Sequence, residues 1–158
     1  MRRKDKEITD RSIIENILEE ALVLHVALID GDRPYIIPVN FGYKGNTIYI
    51  HCATEGKKID LIRENNLIAF QAETGVDIYR KSTPDKCSVL FRSIAGYGRA
   101  FIVESREEKK RALQLLMNHY NRDGPGEWKF GECLDKVCII KIAIESITGK
   151  ESLHRHMD

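Results

Sequence analysis

The sequence lacks an excess of charge of either sign and lacks a long apolar run. Its 25 Lys and Arg residues nearly balance its 24 Asp and Glu residues, which leaves a net charge of +1. No global field would therefore attract a polyanion, and we expect no nucleic-acid partner. No stretch approaches the ~20 apolar residues of a membrane-spanning helix, and no apolar signal core follows the basic N-terminal residues. We expect a cytoplasmic protein with no membrane partner.

The sequence also lacks the cysteine patterns of metal sites and of secreted scaffolds. Its four cysteines form neither a C-x-x-C pair nor the framework of a small disulfide-rich domain. They are Cys52, Cys87, Cys133 and Cys138. Near the C-terminus, His154 and His156 have no cluster of carboxylates or cysteines beside them. We therefore expect neither a disulfide nor a metal site.

What is present indicates one ordinary globular domain over residues 1–158. The chain is 42% hydrophobic and 31% charged, a composition typical of folded domains. Thr9 and Asp10 precede an apolar pattern of helical period, which predicts a first helix. That pattern comprises Ile13, Ile14, Ile17, Leu18, Ala21 and Leu22.

Strands and turns follow this helix. A strand over 23–29 ends at the turn DGDRP, and a second strand is predicted over 35–43. The turn KGN connects the second strand to a third over 47–53, so these two runs predict a hairpin. Apolar residues at 59, 61 and 62 then predict a short helix, and a fourth strand covers 67–73.

The second half of the chain predicts two further strands and one helix. A polar connection over 74–86 leads to a long strand over 88–104, in which Gly96 and Gly98 indicate a bulge, a sharp bend or a close backbone approach. Ser105 caps the third helix, and a last strand covers 137–148. Six strands and three peripheral helices without βαβ alternation favour a mainly β antiparallel barrel over a doubly wound sheet.

The stretch EGKK holds a candidate phosphate site. Gly56, Lys57 and Lys58 stand where a strand has ended and a helix begins, so free backbone N–H groups and the helix dipole would meet two ammonium groups. A solvated turn would have the same pattern, and the residues are not those of a P-loop.

The neighbouring strand adds features that suit a planar ring. Pro38 removes a backbone donor from its strand, which implies an edge, a bulge or a non-strand neighbour. A flavin needs strand backbone groups, apolar cover and a cationic pocket for its phosphate, and these segments together offer all three. Asn40 has the chemistry to bond a ring edge, although an ordinary polar residue near a turn is an equal interpretation.

His51 is the histidine near this constellation, and an imidazole side chain is suited to proton transfer at neutral pH. A structural role is the alternative for a lone strand histidine. Cys52 follows it directly and therefore points to the opposite face of the strand. We interpret Cys52 as a core residue, with a reactive thiol as the alternative.

Five segments in their order resemble one known family. They are MRRKDKEIT, PVNFGY, IYIHCATEGKKIDLIREN, FRSIAGYGRA and SITGKE. The chain resembles the pyridoxamine 5'-phosphate oxidase-related, FMN-binding split-barrel family, and within it the nitroimidazole-resistance (Nim) branch. The resemblance covers nearly the whole chain. It implies a six-stranded antiparallel split β-barrel that forms a homodimer with FMN at the subunit interface.

The resemblance also implies roles for individual residues. Lys57 and Lys58 would hold the FMN phosphate, and His51 would act as the catalytic proton donor. Family oxidases use an Arg-Lys pair at the phosphate, so this chain lacks the bidentate arginine contact. Strand residues would flank the ring from one subunit, and the partner subunit would contribute a long-strand pair and an aromatic cover. The first set is Ile37, Pro38, Val39, Asn40, His51, Cys52 and Ala53, and the second is Arg92, Ser93 and Trp128.

The implied activity is electron transfer from NADH or NADPH through FMN to a small acceptor such as a nitroaromatic. No G-x-G-x-x-G fingerprint follows a strand, so a reductant would bind transiently over the flavin or come from another protein. Two alternatives stay open. One is a module that binds FMN or haem, or senses redox state, without turnover, and the other is a dimeric barrel without a cofactor.

Overall fold

The computed structural model describes residues 3–83, 87–121 and 123–153. His154, His156 and the end of the predicted connection over 74–86 lie outside them. The elements, after a short 3-10 helix at Lys4–Lys6, are β1 Glu7–Ile8, α1 Arg11–Glu20, β2 Leu24–Asp30, β3 Arg33–Val39, β4 Phe41–Lys44, β5 Thr47–Cys52, α2 Lys57–Glu64, β6 Leu67–Tyr79, β7 Ser88–Ile102, α3 Arg106–Tyr120, α4 Cys133–Lys136 and β8 Cys138–Ser152. Within the described ranges, no helix is long and apolar enough to span a bilayer.

The two main helices begin at the residues that the sequence predicts. The Asp10 side chain accepts a hydrogen bond from the Ser12 backbone at the start of α1, and Ser105 accepts one from the Glu108 backbone at the start of α3. Each cap satisfies a donor that the first turn leaves free. Ile14, Ile17 and Leu18 form the buried stripe of α1.

One antiparallel sheet of eight strands forms the body of the molecule. Seven strands follow the order β3-β2-β6-β7-β8-β5-β4, and β1 pairs with β8. β3 is an edge strand, so Pro38 occupies a position where a missing donor is tolerated, as predicted. The mainly β antiparallel fold class is confirmed, although the described part of the chain forms eight strands instead of the six expected.

The prediction of one continuous strand over 35–43 is wrong, because the strand is interrupted at Asn40. Its first part, β3, pairs with β2, whereas its second part, β4, pairs with β5. The predicted hairpin therefore exists only between β4 and β5, where Gly45 and Asn46 have φ angles of 55° and 65°. Two successive positive φ values give the tight turn that suits antiparallel strands.

Part of the predicted polar connection is also wrong. β6 continues to Tyr79, through a register shift between Thr74 and Asp77, and pairs along this extension with β7. The glycine and charged residues of this stretch give no strand pattern in the sequence. The strand forms here because its pairing with β7 stabilises it. The short helix α4 was likewise not predicted.

The two glycines of the long strand do what the sequence predicts. The register of β7 against β8 shifts between Tyr97 and Gly98. A Cβ on Gly96 would lie 2.4 Å from the Phe70 ring and 2.5 Å from the Ser146 carbonyl oxygen. Only glycine fits where a ring and a neighbouring strand approach the backbone this closely.

The barrel interior is a continuous apolar core. Inward-facing residues of the strands pack with α1 and α2, and fully buried examples are Ile17, Leu18, Leu24, Phe41, Ile48, Ile50, Ile59, Ile68, Ile94 and Ile140. A second cluster lies under α3, around Leu113, Leu116 and Ile139. The core therefore uses one face of the sheet and leaves much of the other face to solvent.

Gly96→Ala tests the close approach in β7. We expect it to lower the free energy of unfolding by roughly 1–3 kcal/mol, because the added methyl overpacks against Phe70 and Ser146. Denaturant unfolding measures this change. Gly126→Ala is the control, since its Cβ would meet no atom closer than 3.4 Å. Equal stability of the two variants would contradict the packing described here.

Candidate functional site

The ends of two strands meet at the break in the sheet. Phe41 opens β4 opposite Ile50, so the preceding Asn40 and the following His51 are neighbours at the strand ends. Ile37 and Val39 are half-buried against the core, whereas Pro38 and Asn40 are exposed. Because β3 pairs only with β2, its other edge has no strand partner among the described residues.

The start of α2 offers backbone donors. Gly56 stands at the N-cap with φ 127° and ψ 167°, a conformation that favours glycine, and it has no side chain to cap the helix. Its carbonyl accepts from the Ile59 and Asp60 backbones. The first two helical N–H groups, of Lys57 and Lys58, therefore have no partner within the helix. This geometry, with the positive end of the helix dipole, suits an anion.

The Lys57 side chain connects this helix to the β2–β3 end of the sheet. Its ammonium lies 2.5 Å from an Asp30 carboxylate oxygen and 5.0 Å from the centre of the Tyr35 ring. The hydrogen bond with Asp30 raises the pKa of Lys57. The Asp30 carboxylate thus already neutralises Lys57, one of the two lysines predicted to bind a phosphate.

Lys58 occupies a different position beside the end of β5. It is half-buried, and its charge acts on the Cys52 thiol. Burial is nevertheless the larger effect and raises the pKa of Cys52 to about 11. Within the described ranges, Lys58 forms no ion pair with a carboxylate. Its charge therefore stays available to a ligand.

His51 and Cys52 point to opposite faces of β5, as the alternation of a strand requires. His51 is exposed, whereas Cys52 packs at the margin of the core. His51 shares its face with Tyr49, whose hydroxyl donates to a Glu108 carboxylate oxygen at 3.1 Å. Lys141 donates to the same oxygen, also at 3.1 Å. These contacts hold the strand face beside His51 against α3.

Arg92 and Ser93 lie on β7, between β6 and β8. The Arg92 guanidinium is 3.5 Å from a carboxylate oxygen of the buried Glu151, and the Ser93 hydroxyl donates to the Lys150 carbonyl at 3.5 Å. Both residues are thus anchored on the long strands and not at the break. Their role toward a second subunit's ligand stays a prediction.

Trp128 lies against α3. Its indole N–H donates to the Asn118 side chain at 3.3 Å, and its backbone N–H donates to Gln114 at 3.4 Å. The ring is 36% exposed, so one surface remains open. Its role as an aromatic cover also stays a prediction.

A groove of about 580 Å³ crosses the outer face of the sheet. His25 and Gln71 lie opposite one another on β2 and β6, and Ile36 and Tyr97 form apolar walls. The Nδ1 atom of His25 is buried and has no hydrogen-bond partner within the described part of the chain. Such an atom costs about 1–3 kcal/mol unless something else satisfies it.

Sequence reasoning missed three residues of this region: Asp30, Tyr35 and Cys138. Asp30 and Tyr35 flank the β2–β3 turn and reach Lys57 across more than twenty residues of chain. Cys138 opens β8 directly opposite Cys52. No local pattern could reveal either contact, because both depend on how distant strands align.

The residues have the chemistry to hold a cofactor with a phosphate group and a planar ring. An edge of β3 without a strand partner among the described residues runs from Tyr35 to Val39, about 13 Å at the rise of a strand. Lys57, at the start of α2, contacts Tyr35 at one end of it, and Asn40 follows the other end, beside His51. No group of three metal-ligating side chains exists among the described residues.

Comparisons with known proteins identify the family and the fold of the chain. The family model for pyridoxamine 5'-phosphate oxidase matches residues 10–151. No curated protein matches the chain in sequence. A candidate 5-nitroimidazole antibiotic resistance protein of Bacteroides thetaiotaomicron VPI-5482 is similar in structure, with a TM-score of 0.81 and 28% identity, over 92% of this chain and 86% of that one.

Two further solved structures share the fold. The flavocytochrome Anf3 of Azotobacter vinelandii has a TM-score of 0.83 and 18% identity, covering 97% of this chain and 72% of its own. An FAD and haem binding protein of Mycobacterium smegmatis has a TM-score of 0.81 and 20% identity, covering 93% and 73%. At these identities the similarity concerns the fold.

The Glu108 cluster predicts a pH dependence of stability. The hydrogen bond from Lys141 holds the pKa of Glu108 below its ordinary value. Its contribution is therefore present above the unfolded pKa of about 4.3 and is lost as pH falls through the lower folded pKa. We expect Glu108→Gln to reduce stability at pH 7 by up to about 1 kcal/mol, and the difference from the wild type to shrink below pH 4.

Urea unfolding at several pH values measures this difference. Glu107→Gln is the matched control, because Glu107 is an exposed neighbour on the same helix. A gap between wild type and Glu108→Gln that stays constant down to acidic pH would contradict the assignment.

Proposed function

The chain belongs to the pyridoxamine 5'-phosphate oxidase family, and from that premise we propose that it is an FMN-dependent oxidoreductase. It passes electrons from NADH or NADPH to a small acceptor such as a nitroaromatic. The similarity to the candidate 5-nitroimidazole resistance protein supports this class of acceptor. Four free cysteines support a cytoplasmic location, where thiols stay reduced.

The uncapped start of α2 is the observation that carries this proposal. The N–H groups of Lys57 and Lys58 and the free charge of Lys58 form a phosphate site. The unpaired edge of β3 begins beside it, where Tyr35 contacts Lys57. One cofactor with a phosphate tail and a planar ring would use both features.

The residues of the chain orient the flavin ring and supply a proton donor. The flavin supplies the redox chemistry when bound, by accepting electrons from the donor and passing them to the acceptor. The β3 edge orients the ring, and Ile37 and Val39 hold that strand against the core. His51, exposed at the end of β5, donates a proton to the reduced acceptor.

A homodimer would explain why apolar side chains are exposed on the outer face of the sheet. Large apolar side chains on this face and on the β6–β7 extension are exposed to solvent, namely Ile36, Val76, Ile78, Val89 and Tyr97. Ile36 and Tyr97 line the groove that contains the unsatisfied His25 nitrogen. A second copy of the chain would bury the apolar groups and offer His25 a partner.

A second candidate function is a module that binds a flavin or haem without turnover. The flavocytochrome and the FAD and haem binding protein favour it, because they share this fold. Steady-state oxidation of NADPH by the holoprotein separates the two functions. Turnover supports the enzyme, and its absence with bound cofactor supports the module.

Lys58→Ala tests the phosphate assignment. We expect it to weaken FMN binding roughly 10- to 100-fold, because a hydrogen bond to a charged group contributes about 1.5–3 kcal/mol. Binding of riboflavin, which has no phosphate, should not change. Quenching of flavin fluorescence measures both affinities. The exposed Lys129→Ala serves as the control, and an equal loss for riboflavin would contradict a phosphate contact.

His51→Ala tests the catalytic assignment. We expect kcat for reduction of a 5-nitroimidazole to fall roughly 100- to 10,000-fold, the range for loss of a general acid. The flavin absorption spectrum should persist, because the residue is exposed and the fold does not need it. Normal turnover by a flavin-loaded His51→Ala variant would remove His51 from the mechanism.

A further inference from the structure

Two cysteines face each other at the margin of the core. Cys52 is the last residue of β5, and Cys138 is the first residue of β8. They are direct partners in the antiparallel ladder between these strands. Directly opposed residues of an antiparallel pair point to the same face of the sheet, so the two thiols are neighbours.

The geometry of this pair matches the needs of a disulfide. Opposed residues have Cα atoms about 4.5–5.5 Å apart, and disulfides span about 4.4–6.8 Å between Cα atoms. Burial is the main cause of the raised pKa of Cys52, and the nearby Cys138 raises that pKa further. Both residues stand at strand ends, where the backbone can adjust more readily than within a ladder.

The environments of the two thiols differ. Cys138 is 6% exposed and belongs to the core, whereas Cys52 is half-buried and reaches the surface. Burial raises the pKa of Cys52, and the charge of Lys58 opposes this effect in part. A reagent would therefore meet Cys52 first, and Cys138 would be placed behind it.

We propose that Cys52 and Cys138 form a reversible redox pair that small-molecule disulfides oxidise. The Cys52 thiolate attacks one sulfur of the reagent, whose S–S bond breaks and releases one thiolate. Cys138 then loses its proton and attacks Cys52, so that the intramolecular S–S bond forms and the second thiolate leaves. Two electrons and two protons pass from the protein to the reagent, which becomes two thiols. The proposal does not depend on flavin binding.

The experiment uses the Cys87→Ser, Cys133→Ser double variant with oxidised glutathione. These two cysteines are exposed, so their removal leaves only the pair. We expect intact mass spectrometry to show the loss of two hydrogen atoms and no lasting glutathione adduct. Peptide mapping without reductant should then connect the segments around Cys52 and Cys138, and dithiothreitol should restore both thiols.

Two further arms distinguish pairing from simple thiol exposure. Adding Cys138→Ser should trap glutathione on Cys52 as a stable mixed disulfide, because the resolving thiol is missing. The reaction should accelerate roughly tenfold per pH unit between pH 7 and 9, since the thiolate is the nucleophile and the pKa of Cys52 is raised to about 11.

Two results would overturn the proposal. One is a lasting glutathione adduct on Cys52 while Cys138 is present and free. The other is no reaction of either thiol in the double variant across this pH range. Neither result bears on FMN binding, which Lys58→Ala tests separately.

Discussion

A single residue between two edge strands determines the shape of this protein. β3 and β4 occupy the opposite ends of the seven-strand path, yet only Asn40 separates them in the chain. Consecutive Cα atoms are about 3.8 Å apart, so the two edges must come together within two peptide units. The sheet can satisfy this only by closing into a barrel, with a break in its hydrogen bonding where the chain crosses from one edge to the other.

The break supplies the features of the candidate site. Since β3 and β4 separate at Asn40, β3 keeps an unpaired edge that a ligand can use. The hairpin of β4 with β5 then brings His51 to the same break. α2 follows four residues after β5, and the Lys57 contact with Asp30 fixes its start against the far end of β3. Closure of the barrel thus brings the start of α2, the β3 edge and His51 into one region of the molecule.

Local sequence signals predicted the local features and missed those that depend on alignment. Asp10 and Ser105 predicted the starts of α1 and α3, because a capping side chain contacts the backbone within the first turn of its own helix. Gly96 and Gly98 predicted an irregular strand, because a residue without a side chain allows neighbouring atoms to approach its backbone closely. No local sequence pattern predicts the break at Asn40, the extension of β6 or the contact of Lys57 with Asp30. Each depends on which distant strand lies alongside, and strand register is set by the whole core.

Strand alternation explains how one short segment can hold two kinds of chemistry. His51 and Cys52 are adjacent, but the period of two sends the first to solvent and the second toward the core. The same register that buries Ile48 and Ile50 brings Cys52 opposite Cys138. A slip of one residue would bury the histidine and separate the thiols. The packing of the core therefore fixes the positions of both His51 and the cysteine pair.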